Sequence, residues 1–109
     1  ISYKYRYFEI VNYPYECDFY LDQYNIYIEL NISPFHNNHF YDNTCQDDID
    51  KLQELMQKAK TSSWYENAVR IWLKDVEKRD TAKKNNLNYV VLWSRQEIKF
   101  YINYLKEII

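Results

Sequence analysis

The sequence contains no glycine and only two prolines among its 109 residues. Glycine is the residue that most readily adopts the left-handed backbone conformation of tight turns. In its absence we expect asparagine and aspartate to occupy the turn positions that need a positive φ.

The two cysteines are too few for a disulfide framework, and no signal-peptide pattern is visible. The sequence therefore indicates a reducing, cytoplasmic setting.

Long apolar runs are also missing, which argues against a membrane span and a membrane partner. The formal net charge is −2, which disfavours a protein that binds nucleic acid through a basic surface alone. What the chain has is aromatic residues, 19% of the total, within a hydrophobic fraction of 47%. This composition excludes disorder.

The length suits one core, so we expect a single domain over residues 1–109 and expect residues upstream of it to be missing.

The run from residue 17 to residue 31 predicts a β-hairpin, because apolar and polar residues alternate on both sides of a short turn. One predicted face holds Cys17, Phe19, Leu21, Ile26, Ile28 and Leu30, and the other holds Asp18, Tyr20, Tyr27, Glu29 and Asn31. A turn centred on residues 23–24 places Asp18 opposite Glu29. Opposed carboxylates repel each other, so their presence favours a cation between them. The hairpin therefore predicts a metal site and a metal-dependent hydrolase.

The remaining sequence predicts strands and helices in alternation. We expect a strand over 3–10, a turn or extended entry over 12–15 and a loop over 33–45. After the loop we expect a helix over 47–60, a short helix from 63 to 67 or 68, a strand over 69–74, a helix over 76–85 and a strand over 89–93. A last helix opens with a capping box at 94–97 and continues to 109. The order is β, β-hairpin, α, short α, β, α, β, α. This is an α/β fold with a mixed central sheet flanked by helices.

The stretch from Asp18 to His39 resembles the PD-(D/E)XK nuclease superfamily, which carries Asp on one hairpin strand and Glu-x-polar on the next, followed by helix, strand, helix and strand. Within that superfamily it is similar to the branch of the very-short-patch repair endonuclease and the EDxHD homing endonucleases, common in phages and mobile elements. The resemblance implies a restriction-endonuclease-like core, hydrolysis of DNA phosphodiester bonds, and Mg²⁺ as cofactor with Mn²⁺ as substitute. It also implies a location in the cytoplasm of a host cell.

The resemblance further assigns roles to residues. Asp18 and Glu29, with the main-chain carbonyl of Leu30, would hold the metal ion. Asn31 stands where the superfamily usually has a lysine that orients or activates the attacking water. His36 would act as general base or as donor to the phosphate, and His39 as a second donor or leaving-group acid.

Three alternatives remain open at this level. The two acids could be solvated residues paired with Lys4 or Arg6 on the first strand. A structural zinc site could form from His36, His39, Cys45 and Cys17, although the spacing lacks the strong Cys-x-x-Cys pattern. The chain could also be a catalytically inactive nuclease-fold module that binds nucleic acid or a protein partner. The oligomeric state is open, with a dimer among the options.

Overall fold

The computed structural model describes residues 4–9 and 13–108. The strands are β1 (Lys4–Glu9), β2 (Tyr13–Leu21), β3 (Ile26–Leu30) and β4 (Asn88–Leu92), the helices are α1 (Gln46–Ala59), α2 (Ser63–Lys84) and α3 (Arg95–Ile108), and a short 3-10 helix covers Pro34–His36. The chain divides into two compact units: unit 1 comprises residues 1–32 and 78–109, and unit 2 comprises residues 33–77. The expectation of one domain stays a prediction.

Unit 1 contains a mixed four-stranded sheet in the order β1-β2-β3-β4. β2 is antiparallel to both of its neighbours, whereas β3 and β4 are parallel. A parallel pair needs a long crossover between its strands, and the segment that holds α1 and α2 provides it. The expected α/β class with a mixed sheet is confirmed.

The hairpin forms in the predicted register, with Leu21 paired to Ile26 and Tyr20 paired to Tyr27. Of the two conformations predicted for residues 12–15, a turn or an extended entry, the extended one is found from Tyr13 onward, where β2 begins. Residues 3, 10, 12 and 109, which the predicted elements include, lie outside the described part of the chain.

Both faces of the sheet are covered within unit 1. On one face, Leu105 of α3 joins a buried cluster that also contains Leu21, Ile26, Ile28 and Leu92. On the other face, Ala82 of α2 packs with Cys17 and Tyr27. The prediction that Cys17 shares the first face with Leu21 is wrong, because Cys17 packs in the second cluster with Tyr27. At this position β2 is still paired with β1 but no longer with β3.

The prediction of a strand over 69–74 is wrong, because α2 continues through these positions without a break. The short helix before them and the helix after them merge into it. Its buried residues Ala68, Trp72 and Asp75 follow each other at spacings of four and three, which is the helical period. The apolar alternation that suggested a strand includes Leu73, whose side chain is 39% exposed.

The start of α3 follows the sequence-based expectation. Ser94 Oγ accepts the Glu97 N–H at 3.1 Å, as in the predicted capping box, and Glu97 Oε2 accepts the N–H of Trp93, one residue before Ser94, at 2.6 Å. No helix in residues 4–9 and 13–108 has the length and apolar character needed to cross a membrane.

Asparagine replaces glycine at the left-handed positions, as expected. The described residues with positive φ are Asn25, Asn37, Asn38 and Asn86. Asn86 has φ 55° and ends α2 in a Schellman motif, in which its N–H donates to Lys83 O and the Leu87 N–H donates to Ala82 O. A residue type that tolerates this conformation thus terminates the longest helix.

Substitution of Asn86 tests this account of the helix end. We expect Asn86→Ala to lower the free energy of unfolding by about 1 kcal/mol, because a β-carbon without a compensating polar group strains the left-handed conformation. Asn86→Gly should be at least as stable as wild type. Urea denaturation followed by circular dichroism measures both, with Asn103→Ala inside α3 as the control. Equal stability of Asn86→Ala and wild type would contradict the account.

Candidate functional site

The two predicted acids lie on neighbouring strands of unit 1, Asp18 on β2 and Glu29 on β3. The pairing of these strands ends at Phe19 and Ile28, one position before the predicted pair. Asp18 nevertheless reaches across to β3, because its Oδ2 accepts the Leu30 N–H at 2.7 Å. The half-buried Asp18 carboxylate is therefore held against the backbone beside Glu29.

Glu29 is almost completely buried, with 4% of its surface exposed. A buried carboxylate is costly unless a partner compensates its charge. That partner is Lys78, whose Nζ lies 3.4 Å from Glu29 Oε2. No local signal in the sequence marks Lys78 as this partner, since it lies 49 positions from Glu29.

The buried thiol of Cys17 is influenced by the charges of Glu29, Asp18 and Lys78. Its Sγ donates to Phe19 O at 3.4 Å, and its residue is fully buried. Burial and then the negative charges of Glu29 and Asp18 raise the pKa of the Cys17 thiol to about 12, while Lys78 opposes them. The negative charges of Asp18 and Glu29 therefore both influence the buried Cys17 thiol in unit 1.

Asn31 lies at the end of β3, beside β4. Its residue is 3% exposed, and its N–H donates to Leu92 O at 2.8 Å. The Asn31 side chain is a neutral amide, so it offers hydrogen bonds and no charge. Leu30 pairs with Leu92 in the parallel ladder, and the role of its carbonyl as a metal ligand stays a prediction.

The histidines belong to unit 2, where each binds a buried carboxylate. His36 sits in the 3-10 helix, and its Nδ1 lies 2.6 Å from Oδ2 of Asp75, which is 3% exposed. Because Asp75 binds Nδ1, it fixes the orientation of the imidazole ring. Nε2 is then the ring nitrogen that remains for another partner. This arrangement suits a base or a hydrogen-bond donor.

His39 is the more exposed of the two and is bound through both its side chain and its backbone. Its Nε2 lies 2.8 Å from Asp48 Oδ1, and its carbonyl accepts the Trp72 Nε1–H at 2.9 Å. Asp48 Oδ2 also accepts the Asp42 N–H at 2.9 Å. Asp48, Asp75 and Trp72 thus hold the 33–45 segment, and the sequence interpretation missed all three in this role.

The zinc alternative is not supported within unit 2. No three His, Cys, Asp or Glu side chains come together to hold a metal ion in the part of the chain that the structure describes. Each histidine binds a carboxylate instead, and Cys45 is a free thiol at the start of α1.

Comparison with known proteins adds no assignment, because no family model matches the sequence and no curated protein or solved structure matches the chain.

The two cysteines should differ in reactivity. At pH 8 we expect iodoacetamide to alkylate the partly exposed Cys45 and to spare Cys17, which is buried and has a pKa of about 12. The neutral Cys17 thiol stabilises the folded state fully below its ordinary pKa of 9.0, and this contribution is lost as the pH rises towards 12. Peptide mass spectrometry measures the labelling, with urea-unfolded protein as the control in which both thiols react. Rapid labelling of native Cys17 would show that the thiol is accessible.

The carboxylate network of unit 2 can be separated from a simple helix-dipole effect. Asp47 and Asp48 are both in the first turn of α1, but only Asp48 is buried and binds the loop. We expect Asp48→Asn to lower the free energy of unfolding by about 1–3 kcal/mol more than Asp47→Asn, because a buried network loses an acceptor. Urea denaturation measures stability, and limited proteolysis should show faster cleavage within 37–44 in the Asp48 variant only. Equal behaviour of the two variants would contradict the role of Asp48.

Proposed function

We propose that this chain is a Mg²⁺-dependent DNA endonuclease of phage or homing type, built on a restriction-endonuclease-like core of the PD-(D/E)XK kind. The observation that carries the proposal is the arrangement in unit 1 of Asp18 and Glu29 on adjacent strands, with Lys78 bound to Glu29. Two acids and one ammonium group are a set that can serve phosphodiester hydrolysis.

The donor set of unit 1 fits the chemistry of Mg²⁺. This ion is usually bound by one or two carboxylates together with waters and substrate phosphate oxygens. Asp18 and Glu29 would provide the carboxylates, and the Leu30 carbonyl a further oxygen. When bound, the ion polarises the phosphate and lowers the pKa of a water molecule.

In the proposed site, Lys78 provides the positive charge that the neutral Asn31 side chain lacks. The superfamily pattern places a lysine at the position of Asn31, and the neutral amide there brings no positive charge. In the proposed site Lys78 supplies this charge from α2, at 3.4 Å from Glu29. Its ammonium group would orient the attacking water and stabilise the negative charge that develops on the phosphate.

The roles of the histidines rest on the sequence resemblance. A base needs an imidazole that is held in one orientation, and the buried Asp75 gives His36 that orientation within unit 2. We assign His36 as general base or phosphate donor and His39 as the second donor or leaving-group acid. Asp75 is a positioning residue in this scheme.

One observation favours the second candidate, a catalytically inactive module that binds nucleic acid or a protein partner. The charge of Glu29 is already compensated by Lys78, so this acid does not need a metal ion for its burial. The two candidates differ in what they predict for metal binding and cleavage.

A plasmid assay tests the proposal. We expect the wild type to nick or linearise supercoiled plasmid with Mg²⁺, and Asp18→Asn and Glu29→Gln to show no cleavage because they remove metal ligands. Lys78→Gln should lower the rate roughly 10²- to 10³-fold, by loss of charge stabilisation, and Lys78→Arg should restore part of it. Lys83→Gln, an exposed lysine at the end of the same helix, is the matched control.

Mg²⁺ titration by calorimetry separates the two candidates. The enzyme should bind the ion through Asp18 and lose that binding in Asp18→Asn, a variant that keeps an oxygen acceptor for the Leu30 N–H. No cleavage and no metal binding by correctly folded wild type would refute the enzyme and favour the inactive module. Cleavage that survives both acid substitutions would refute the proposed site.

A further inference from the structure

Unit 2 contains a second candidate site, a pocket of about 240 Å³ whose lining does not include His36 or His39. The pocket is lined by the buried residues Leu55 and Ala68, by the half-exposed Trp64 and by two charged residues, Lys51 and Lys58. Drug-sized ligands occupy pockets of roughly 300–1,000 Å³, so this smaller space suits a single planar group.

Trp64 is an indole held in place while half of it stays open to solvent. The residue is 49% exposed, whereas tryptophan is a residue that is highly buried on average. Its ring is fixed by Phe35, with ring centroids 4.8 Å apart, and by Tyr65 at 5.0 Å. Since these contacts order the ring in advance, a ligand that stacks on it has little side-chain entropy to overcome.

The charged lining of the pocket is positive. Lys51 and Lys58 line it, and no acidic side chain does so among the described residues. Lys58 Nζ lies 5.1 Å from the centroid of the Tyr65 ring and 3.0 Å from Glu54 Oε1. The hydrogen bond and the charge of Glu54 raise the pKa of Lys58, so its ammonium group is charged. An exposed pair of this kind is weak, so Lys58 can exchange Glu54 for a phosphate.

We propose that this pocket binds one nucleotide of single-stranded or locally opened DNA, with the base stacked on Trp64 and the phosphate between Lys51 and Lys58. The combination of an aromatic face and cationic groups is the one by which proteins hold single strands, because every base has a π-face and every linkage a negative charge. The proposal rests on DNA as the substrate of the proposed function. It adds a second contact, in unit 2, that positions the strand.

Binding of a labelled oligodeoxythymidine of about eight nucleotides, a length within the usual site sizes of such proteins, tests the pocket. Fluorescence anisotropy in Mg²⁺-free buffer measures affinity without cleavage. We expect Trp64→Ala to weaken binding roughly 5- to 150-fold, through loss of one stacked base, and Trp64→Phe to weaken it less. Because Trp64 is exposed, both variants should keep the wild-type circular dichroism spectrum.

The lysines are tested by the salt dependence of the same binding. A phosphate contact on a single strand contributes a slope of about 0.7 to the plot of log affinity against log salt. Lys51→Gln and Lys58→Gln should each reduce the slope by about that amount. Lys60→Gln, which removes an equal charge at the end of α1 outside the pocket, should leave it unchanged.

The outcomes distinguish this proposal from the proposed enzyme. Unchanged affinity in Trp64→Ala and unchanged slopes in both lysine variants would refute nucleotide binding by the pocket. The exposed indole of Trp64 would then be explained by contact with a protein partner. Plasmid cleavage by the wild type would still support the enzyme in that case. Conversely, oligonucleotide binding that depends on Trp64 supports the pocket even if the wild type cleaves nothing, a result that would refute catalysis alone.

Discussion

The compensation of buried negative charge is the constraint on which this structure depends. Glu29, Asp48 and Asp75 are 4%, 5% and 3% exposed, and each binds a side chain that can carry a positive charge. A buried carboxylate without such a partner would cost several kcal/mol, a large share of the stability of a small domain. The partners are therefore as necessary to the fold as the apolar clusters are.

This constraint explains how a long irregular segment is held in a defined conformation. Residues 33–45 form no strand ladder, and their only regular element is one short 3-10 helix. The histidines of the segment instead bind buried acids of α1 and α2, and the backbone of His39 accepts the Trp72 indole N–H. Asn37 and Asn38 supply the left-handed turns for which the chain has no glycine. Side chains thus do for this segment what main-chain hydrogen bonds do for the sheet.

Local rules predicted the features that local interactions determine. The register of the hairpin, the capping box of α3 and the asparagine stop of α2 all follow from residues within a few positions of each other. The middle of α2 was mispredicted because six residues that alternate in polarity fit a strand as well as a helix with a broad apolar face. The burial of Ala68 and Trp72, four positions apart, identifies the helix, and burial depends on tertiary packing.

The candidate site divides along the same line. Its acids and histidines were predicted from one short stretch of sequence, whereas their partners were not. Lys78 and Asp75 lie 49 and 39 positions from Glu29 and His36, so no spacing rule connects them. The sequence of an isolated helix gives no sign that Asp75 and Lys78 bind distant partners. Burial gives these residues a different role, and burial is a property of the whole fold.

The Glu29–Lys78 pair also determines how the proposed site would respond to its ligands. A divalent cation beside Glu29 would compete with the ammonium group of Lys78 for the same carboxylate, so the free protein should bind the ion less tightly than a DNA complex does. A DNA phosphate would change this balance, because it would offer Lys78 a second anionic partner and offer the metal ion further oxygen ligands. Metal and DNA would therefore each raise the affinity for the other, and by linkage the two couplings are equal in size. In the catalytically inactive module, Lys78 would keep Glu29 as its partner, and metal and DNA would not change each other's affinity.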